Sequence, residues 1–329
     1  MKVYKISKDK LKAYLSYLLN KGYSIYGPVK TTSGDVIFSK IEDPEHFVDE
    51  KSTNGPKSVV FPEREIIFRY REGKIIEEKS DERRILFGTR TCEIEGFRML
   101  DDVLLKGKYK DISYERKRSN SIIVNFACTK ACKYGFCTTF QGPKLKNGFS
   151  LQFIDIGDDY LVEAMNEELI VPEYFTEASE EDIKKAEENI NNVYKEMEQL
   201  PIKDIEKKIK FNDEIWNKLG NYCINCGACN YSCPTCFCFD VYDVKIGNEI
   251  LRIREWDSCL LEGFSRLAGF NNPRKDNASR LIQRFYHKLV YHKLNYGYYL
   301  CTGCGRCIEQ CPVNIDIRDV IKYFSGGEL

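Results

Sequence analysis

Two short segments of the sequence carry the same arrangement of thiols. CINCGACNYSCP spans residues 223–234 and CTGCGRCIEQCP spans 301–312, and both read C-x2-C-G-x-C-x3-C-P. Gaps of two residues let three thiolates reach three corners of one iron–sulfur cubane from a single tight loop. Gly227 and Gly305 free the backbone there from the constraint of a Cβ. The fourth cysteine lies too far along to close the same cluster comfortably, and in two-cluster ferredoxins it ligates the other one. The expected sets are therefore Cys223, Cys226, Cys229 and Cys311 for one [4Fe–4S] cluster, and Cys301, Cys304, Cys307 and Cys233 for the second. Zinc is the competing reading, but zinc ribbons use separated C-x2-C pairs rather than runs of four cysteines closed by proline. A link of 67 residues, 234 to 300, joins the runs. It is far longer than the link in a small ferredoxin and points to helices inserted between the motifs.

Seven of the fifteen cysteines lie outside these runs. Cys92, Cys128, Cys132 and Cys137 are candidates for a third cluster. Cys236, Cys238 and Cys259 are candidates for another site close to the quartets. The plainer alternative for both groups is that they are small buried apolar side chains. Clustered cysteines without a secretory leader indicate metal in a reducing compartment rather than disulfides. His287 and His292 share an expected helix with Arg280, Arg284 and Lys288. That face either docks a partner or tunes a cluster's potential, or it is simply a solvated basic face.

The elements that must position these residues are of two kinds. A helix is expected from Ser7 to Asn20, capped by Ser7 and stopped at Gly22. Strands follow at Ser24–Tyr26, Asp35–Ile41, Glu65–Arg69 and Lys74–Glu78. RILFGTR, residues 84–90, and SIIVNFAC, residues 121–128, read as buried strands, with a helix from Cys92 to Leu105 between them. A hairpin is expected at 151–163. This mixture predicts an α+β or α/β platform domain over 1–175, with room for an extra cluster. Ser179 with Asp182 reads as a capping box opening a charged helix. From there the chain reads as a mainly α-helical, ferredoxin-like dicluster domain over 176–329.

Composition narrows the class further. The chain has 329 residues, is 43% hydrophobic, and carries 50 basic and 50 acidic side chains. The zero formal charge argues against a nucleic-acid partner. The N-terminal stretch MKVYKISKDKLKAYLSYLLN is charged and amphipathic, without an apolar signal core. No stretch approaches the roughly 18 apolar residues of a membrane span. The expectation is a cytoplasmic protein with no direct membrane insertion. There is no G-x-G-x-x-G after a strand and no P-loop, so no dinucleotide loop is expected.

The order of CINCGACNYSCPTCFCFDV, REWDSCLLEGFSRLAGFNNPR, RFYHKL and CTGCGRCIEQCPVNIDI resembles one family. It is similar to the beta subunits of archaeal sulfhydrogenases and the related A subunits of anaerobic sulfite reductase. ILFGTRTCEIEGFRMLDDVLL, Tyr114 with Arg116, FCTTFQGP and DIGDDYLVE extend the resemblance over roughly residues 60–329. Where that family usually shows two cysteines one residue apart, this chain has Gly135-Phe136-Cys137, with Cys132 three residues earlier. The resemblance implies a non-catalytic electron-transfer subunit. It would relay electrons between a flavin- and NAD(P)H-binding subunit and a catalytic subunit that reduces sulfite or handles hydrogen. The alternative class is a structural metal-binding scaffold or a stand-alone ferredoxin-like carrier. The long N-terminal domain favours a docked subunit, because a free ferredoxin needs no such platform.

Overall fold

The computed structural model describes residues 2–77 and 82–327. The chain divides into two compact units, 1–61 with 80–198 and 62–79 with 199–329. In chain order the strands are β1 (Lys2–Ser7), β2 (Ser24–Lys30), β3 (Val36–Lys40), β4 (Arg64–Arg71), β5 (Lys74–Glu77) and β6 (Arg84–Arg90). They continue with β7 (Ser121–Phe126), β8 (Leu151–Asp155), β9 (Asp159–Ala164), β10 (Thr176–Glu177), β11 (Phe239–Ile246) and β12 (Glu249–Trp256).

The first unit is an eight-stranded sheet in the order β10-β1-β9-β8-β7-β6-β2-β3. β2, β6, β7 and β8 form its parallel centre. Every residue of β6 is buried, as expected of a parallel strand covered on both faces. Gly88 has φ 73° where the β6–β7 register shifts, and a Cβ there would stand 2.9 Å from Pro28 and 3.0 Å from Phe47. On one side of the sheet Phe87, Phe126, Phe153 and Tyr160 pack with Tyr14, Leu15 and Leu18 of the helix Leu11–Asn20. Phe126 and Phe153 stack with ring centroids 4.7 Å apart. Truncating Phe126 to alanine should cost about 3–5 kcal/mol, read as an earlier chemical unfolding transition of the full-length protein. Ala186 and Ile190, from the helix Glu180–Glu196, pack with Ile154, Ile156 and Leu161. The capping box is present: the Ser179 N–H donates to Asp182 at 2.9 Å, and the Asp182 N–H donates to Ser179 Oγ at 3.2 Å.

The beginning of the chain differs from expectation. Residues 2–7 form a strand that pairs with β9 along its whole length. The regular helix starts at Leu11, and Ser7 makes no side-chain cap. The other expected strands of this unit are present within a few residues.

The second unit contains a four-stranded antiparallel sheet, β11-β12-β4-β5. β4 and β5 pair as expected; the expected end of the hairpin at Glu78 lies outside the described residues. The buried Arg254 of β12 and the half-buried Glu65 of β4 form an ion pair across the sheet. The mainly helical expectation is met only in part, because the link between the cysteine runs holds the hairpin β11–β12 as well as the helix Asn277–Tyr286. FDVYDVKI and EILRIREW turn at Gly247, with φ 58°. The helix Ile215–Tyr222 packs on Asn277–Tyr286 at Gly220, where a Cβ would meet the Ala278 backbone at 2.9 Å. Trp216 is buried there against Phe285 and Phe324.

Candidate metal centre

The two cysteine runs are built on one backbone plan. Gly227 has φ 76°, ψ −6° and Gly305 has φ 76°, ψ −5°, each opening a single helical turn. Asn225, with φ 52°, and Gly303, with φ 66°, occupy equivalent left-handed positions. Each donates its backbone N–H to the first cysteine of its run, Asn225 to Cys223 Sγ and Gly303 to Cys301 Sγ, both at 3.4 Å. A Cβ on Gly227 would lie 2.9 Å from the Tyr231 ring. Asn277, at the start of its helix, anchors the first loop by donating to the Cys223 carbonyl at 2.8 Å.

The runs meet across a cleft of about 410 Å³, open solvent included. Cys223, Cys226, Cys229 and Cys311 line it together with Cys307 and Arg284, and Ile224, Leu260, Leu281 and Ile315 supply apolar walls. Burial raises the Cys223 thiol, opposed by the Asn225 N–H and reinforced by Cys311 and Cys226. Cys301, Cys304, Cys307 and Cys233 are likewise mutual neighbours. Burial raises Cys307, and Cys304, Cys233 and Cys301 add to the effect. Burial pushes Cys301 up to about 12. The first loop reaches the surface: Cys226 is exposed, and Ile224 and Tyr222 are 62% and 68% exposed.

No two of the fifteen cysteines are joined in a disulfide. Among the described residues no three His, Cys, Asp or Glu side chains converge closely enough for a single ion. A cubane asks for a different arrangement, with four thiolates around a volume, each meeting a different iron. The thiol-lined cleft, the sulfur-directed N–H groups and the buried cations fit that demand.

Burial decides between the alternatives left open for the basic helix face. Arg280, Arg284, Lys288 and His292 are buried, so this side of the helix is not a solvated face. Arg284 donates from Nε to Asn230 at 3.1 Å. Burial disfavours its charge, yet Cys229 and Cys307, one from each run, raise its pKa. Lys288 donates to Cys233 Sγ at 3.2 Å and to Thr235 Oγ1 at 3.0 Å. His287 is pushed down to about 4 by burial and by Lys288 and His292.

The second group of leftover cysteines surrounds the same polar core. Asn230 donates to Ser258 Oγ at 2.8 Å and to Cys259 Sγ at 3.3 Å, and accepts from Cys236 at 3.7 Å. Cys259 is held at about 6 by a hydrogen bond from Cys238, against burial and with help from Asn230, Arg284 and Lys288. The same bond raises Cys238. Cys233 is held well below its ordinary range by a bond from Cys236, against burial, and by Lys288.

The N-terminal group lies in the other unit. Cys92 sits in the first turn of the helix Thr91–Leu104 that follows β6, and Cys128 lies two residues past β7. Cys128 is pushed up to about 12 by burial, opposed by Arg90 and reinforced by Cys132. Arg90 is paired with Asp49 at 2.6 Å. Cys132 packs against Gly135, and Cys137 donates to Met197 Sδ at 3.7 Å.

Two features escaped the sequence reading. The β11–β12 hairpin had a visible signal, alternation on both sides of Gly247-Asn248. The buried Asn230–Arg284–Lys288 network had none beyond the basic helix pattern.

Residues 222–315 match the 4Fe-4S dicluster domain family. Over 326 residues, 92% of each sequence, the chain is 29% identical to the protein named Sulfhydrogenase 2 subunit beta of Pyrococcus furiosus. The resemblance to sulfhydrogenase beta subunits therefore holds along nearly the whole chain. No solved structure matches. No helix among the described residues is long and apolar enough to cross a membrane.

Proposed function

We propose that this chain is the electron-relay subunit of a multi-subunit oxidoreductase. Cys223, Cys226, Cys229 and Cys311 hold one [4Fe–4S] cluster, and Cys301, Cys304, Cys307 and Cys233 hold a second. The observation that carries the reading is the meeting of two like-built runs across one cleft, with Cys311 of the second run beside Cys223, Cys226 and Cys229 of the first. A bound cluster supplies one-electron storage. The chain's own residues hold it, direct N–H groups at the sulfurs, and wall it with Leu260, Leu281 and Ile315.

NAD(P)H delivers a hydride, so a flavin must stand between it and a one-electron carrier. The partners are therefore a flavin- and NAD(P)H-binding subunit and a catalytic subunit of a sulfur-linked hydrogenase or anaerobic sulfite reductase. The sulfhydrogenase likeness favours the hydrogenase. The compartment is the cytoplasm.

Anaerobically purified protein should contain about eight irons from these two sites with matching acid-labile sulfide. A higher count that falls back to about eight in a Cys128→Ser variant would assign a third cluster to Cys92, Cys128, Cys132 and Cys137. Stoichiometric zinc without sulfide would overturn the reading.

A further inference from the structure

The two runs share a backbone plan but differ in what meets the fourth sulfur. Cys311 Sγ accepts the Ile315 N–H at 3.2 Å. Cys233 Sγ accepts from the Lys288 ammonium, also at 3.2 Å. Lys288 is only 3% exposed, and its remaining donors go to Thr235 Oγ1 at 3.0 Å and the Leu300 carbonyl at 3.4 Å. Leu300 immediately precedes Cys301, so one ammonium is tied to the fourth ligand of one set and to the backbone beside its first. Lys288 lies in a π-helical stretch, His287–Tyr291, that interrupts an otherwise α-helical run. Such wide turns recur at functional sites.

We infer that Lys288 makes the two clusters electrochemically unequal, raising the reduction potential of the one held by Cys301, Cys304, Cys307 and Cys233 above that of its twin. The inference rests on the two-cluster reading above. Uptake of one electron adds one negative charge to a group already anionic through its four thiolates. A fixed positive charge hydrogen-bonded to one of those sulfurs favours the reduced state, and burial strengthens the effect because little water screens it. The backbone N–H at Cys311 carries only a partial charge. Arg284 neighbours both Cys229 and Cys307, so it acts on both sites and does not separate them. Solvent near Cys226 works the other way, stabilising added charge at the first cluster. A full charge at hydrogen-bond distance in a buried setting outweighs exposure at one corner. Electrons arriving at the first cluster therefore settle on the second.

The test is an EPR-monitored redox titration of the anaerobic full-length protein and its Lys288→Met, Lys288→Gln and Lys288→Arg variants. In the Met variant the equilibrium constant for reducing one cluster should fall at least tenfold, or 59 mV for one electron. The other cluster should not move. The Gln variant keeps a donor without the charge and should show most of the loss, and it remains informative if the Met variant fails to assemble. The Arg variant should stay near wild type. The shifted signal must be the one that Cys233→Ser perturbs. Full iron content with neither midpoint moved, or a shift in the signal that Cys311→Ser perturbs, overturns the inference but leaves the two-cluster reading intact. Wild-type protein without iron and sulfide would instead end the reading on which it rests.

Discussion

Replacing Cys233 with serine is expected to damage the cluster of the other run. Cys233 stands with Cys301, Cys304 and Cys307, while Cys311 shares the cleft with Cys223, Cys226 and Cys229. Iron should fall from about eight toward four, with loss of the EPR signal of the second set. Cys311→Ser should produce the complementary loss. The two variants should also differ in stability. Cys233 is the anionic partner of the buried Lys288, and its removal leaves that ammonium beside a hydroxyl. Breaking a buried charge pair from one side costs about 3–5 kcal/mol. Cys311 accepts from a backbone N–H near the surface, so its loss strands no charge. Cys233→Ser should therefore unfold at distinctly lower denaturant than Cys311→Ser. The reverse pattern of EPR losses would show that each run closes its own cluster.

The parts of this architecture that were legible in sequence are those with a strong local signature. The runs announce themselves by spacing. β6 and β7 are continuous apolar stretches bounded by polar ones, and the Ser179–Asp182 box is a four-residue pattern. β1 was not legible, because its pairing partner, β9, lies some 150 residues away and its own residues mix lysine with apolar positions. The basic face of Asn277–Tyr286 and its continuation stays ambiguous in sequence for a different reason. Charge patterning identifies cations but not their counter-ions, and here those include thiolates, which a formal charge count omits. The hairpin β11–β12 is masked in sequence by the stronger helical signals that flank it in the link.

Purified alone, the chain should be reduced by dithionite yet remain inert towards NADH, NADPH, sulfite and hydrogen. The sequence carries no Gly-rich dinucleotide loop after a strand. A cluster accepts electrons singly, and a hydride cannot be split without an intermediary such as flavin. Adding the flavoprotein partner should let NAD(P)H bleach the clusters, followed by the loss of their visible absorption. Of the cysteines in the two runs, Cys226 is the exposed one, with the exposed Tyr222 and Ile224 nearby. Appreciable NADH oxidation or sulfite reduction by the single chain would sink this assignment.

Residues 62–79 belong to the second unit although they lie within the sequence of the first. During vectorial synthesis β4 leaves the ribosome well before β12, the strand that pairs with it from Arg71↔Glu249 to Arg64↔Glu255. Until then β4 has only the short β5 beside it, and an isolated hairpin of that kind is marginal in water. The sheet of the second unit therefore cannot close until the segment beyond the first unit has been made. By the time β4 finds its partner the first cysteine run has already emerged, but Cys311, which shares its cleft, has not, so closure of this sheet precedes completion of the thiol-lined cleft.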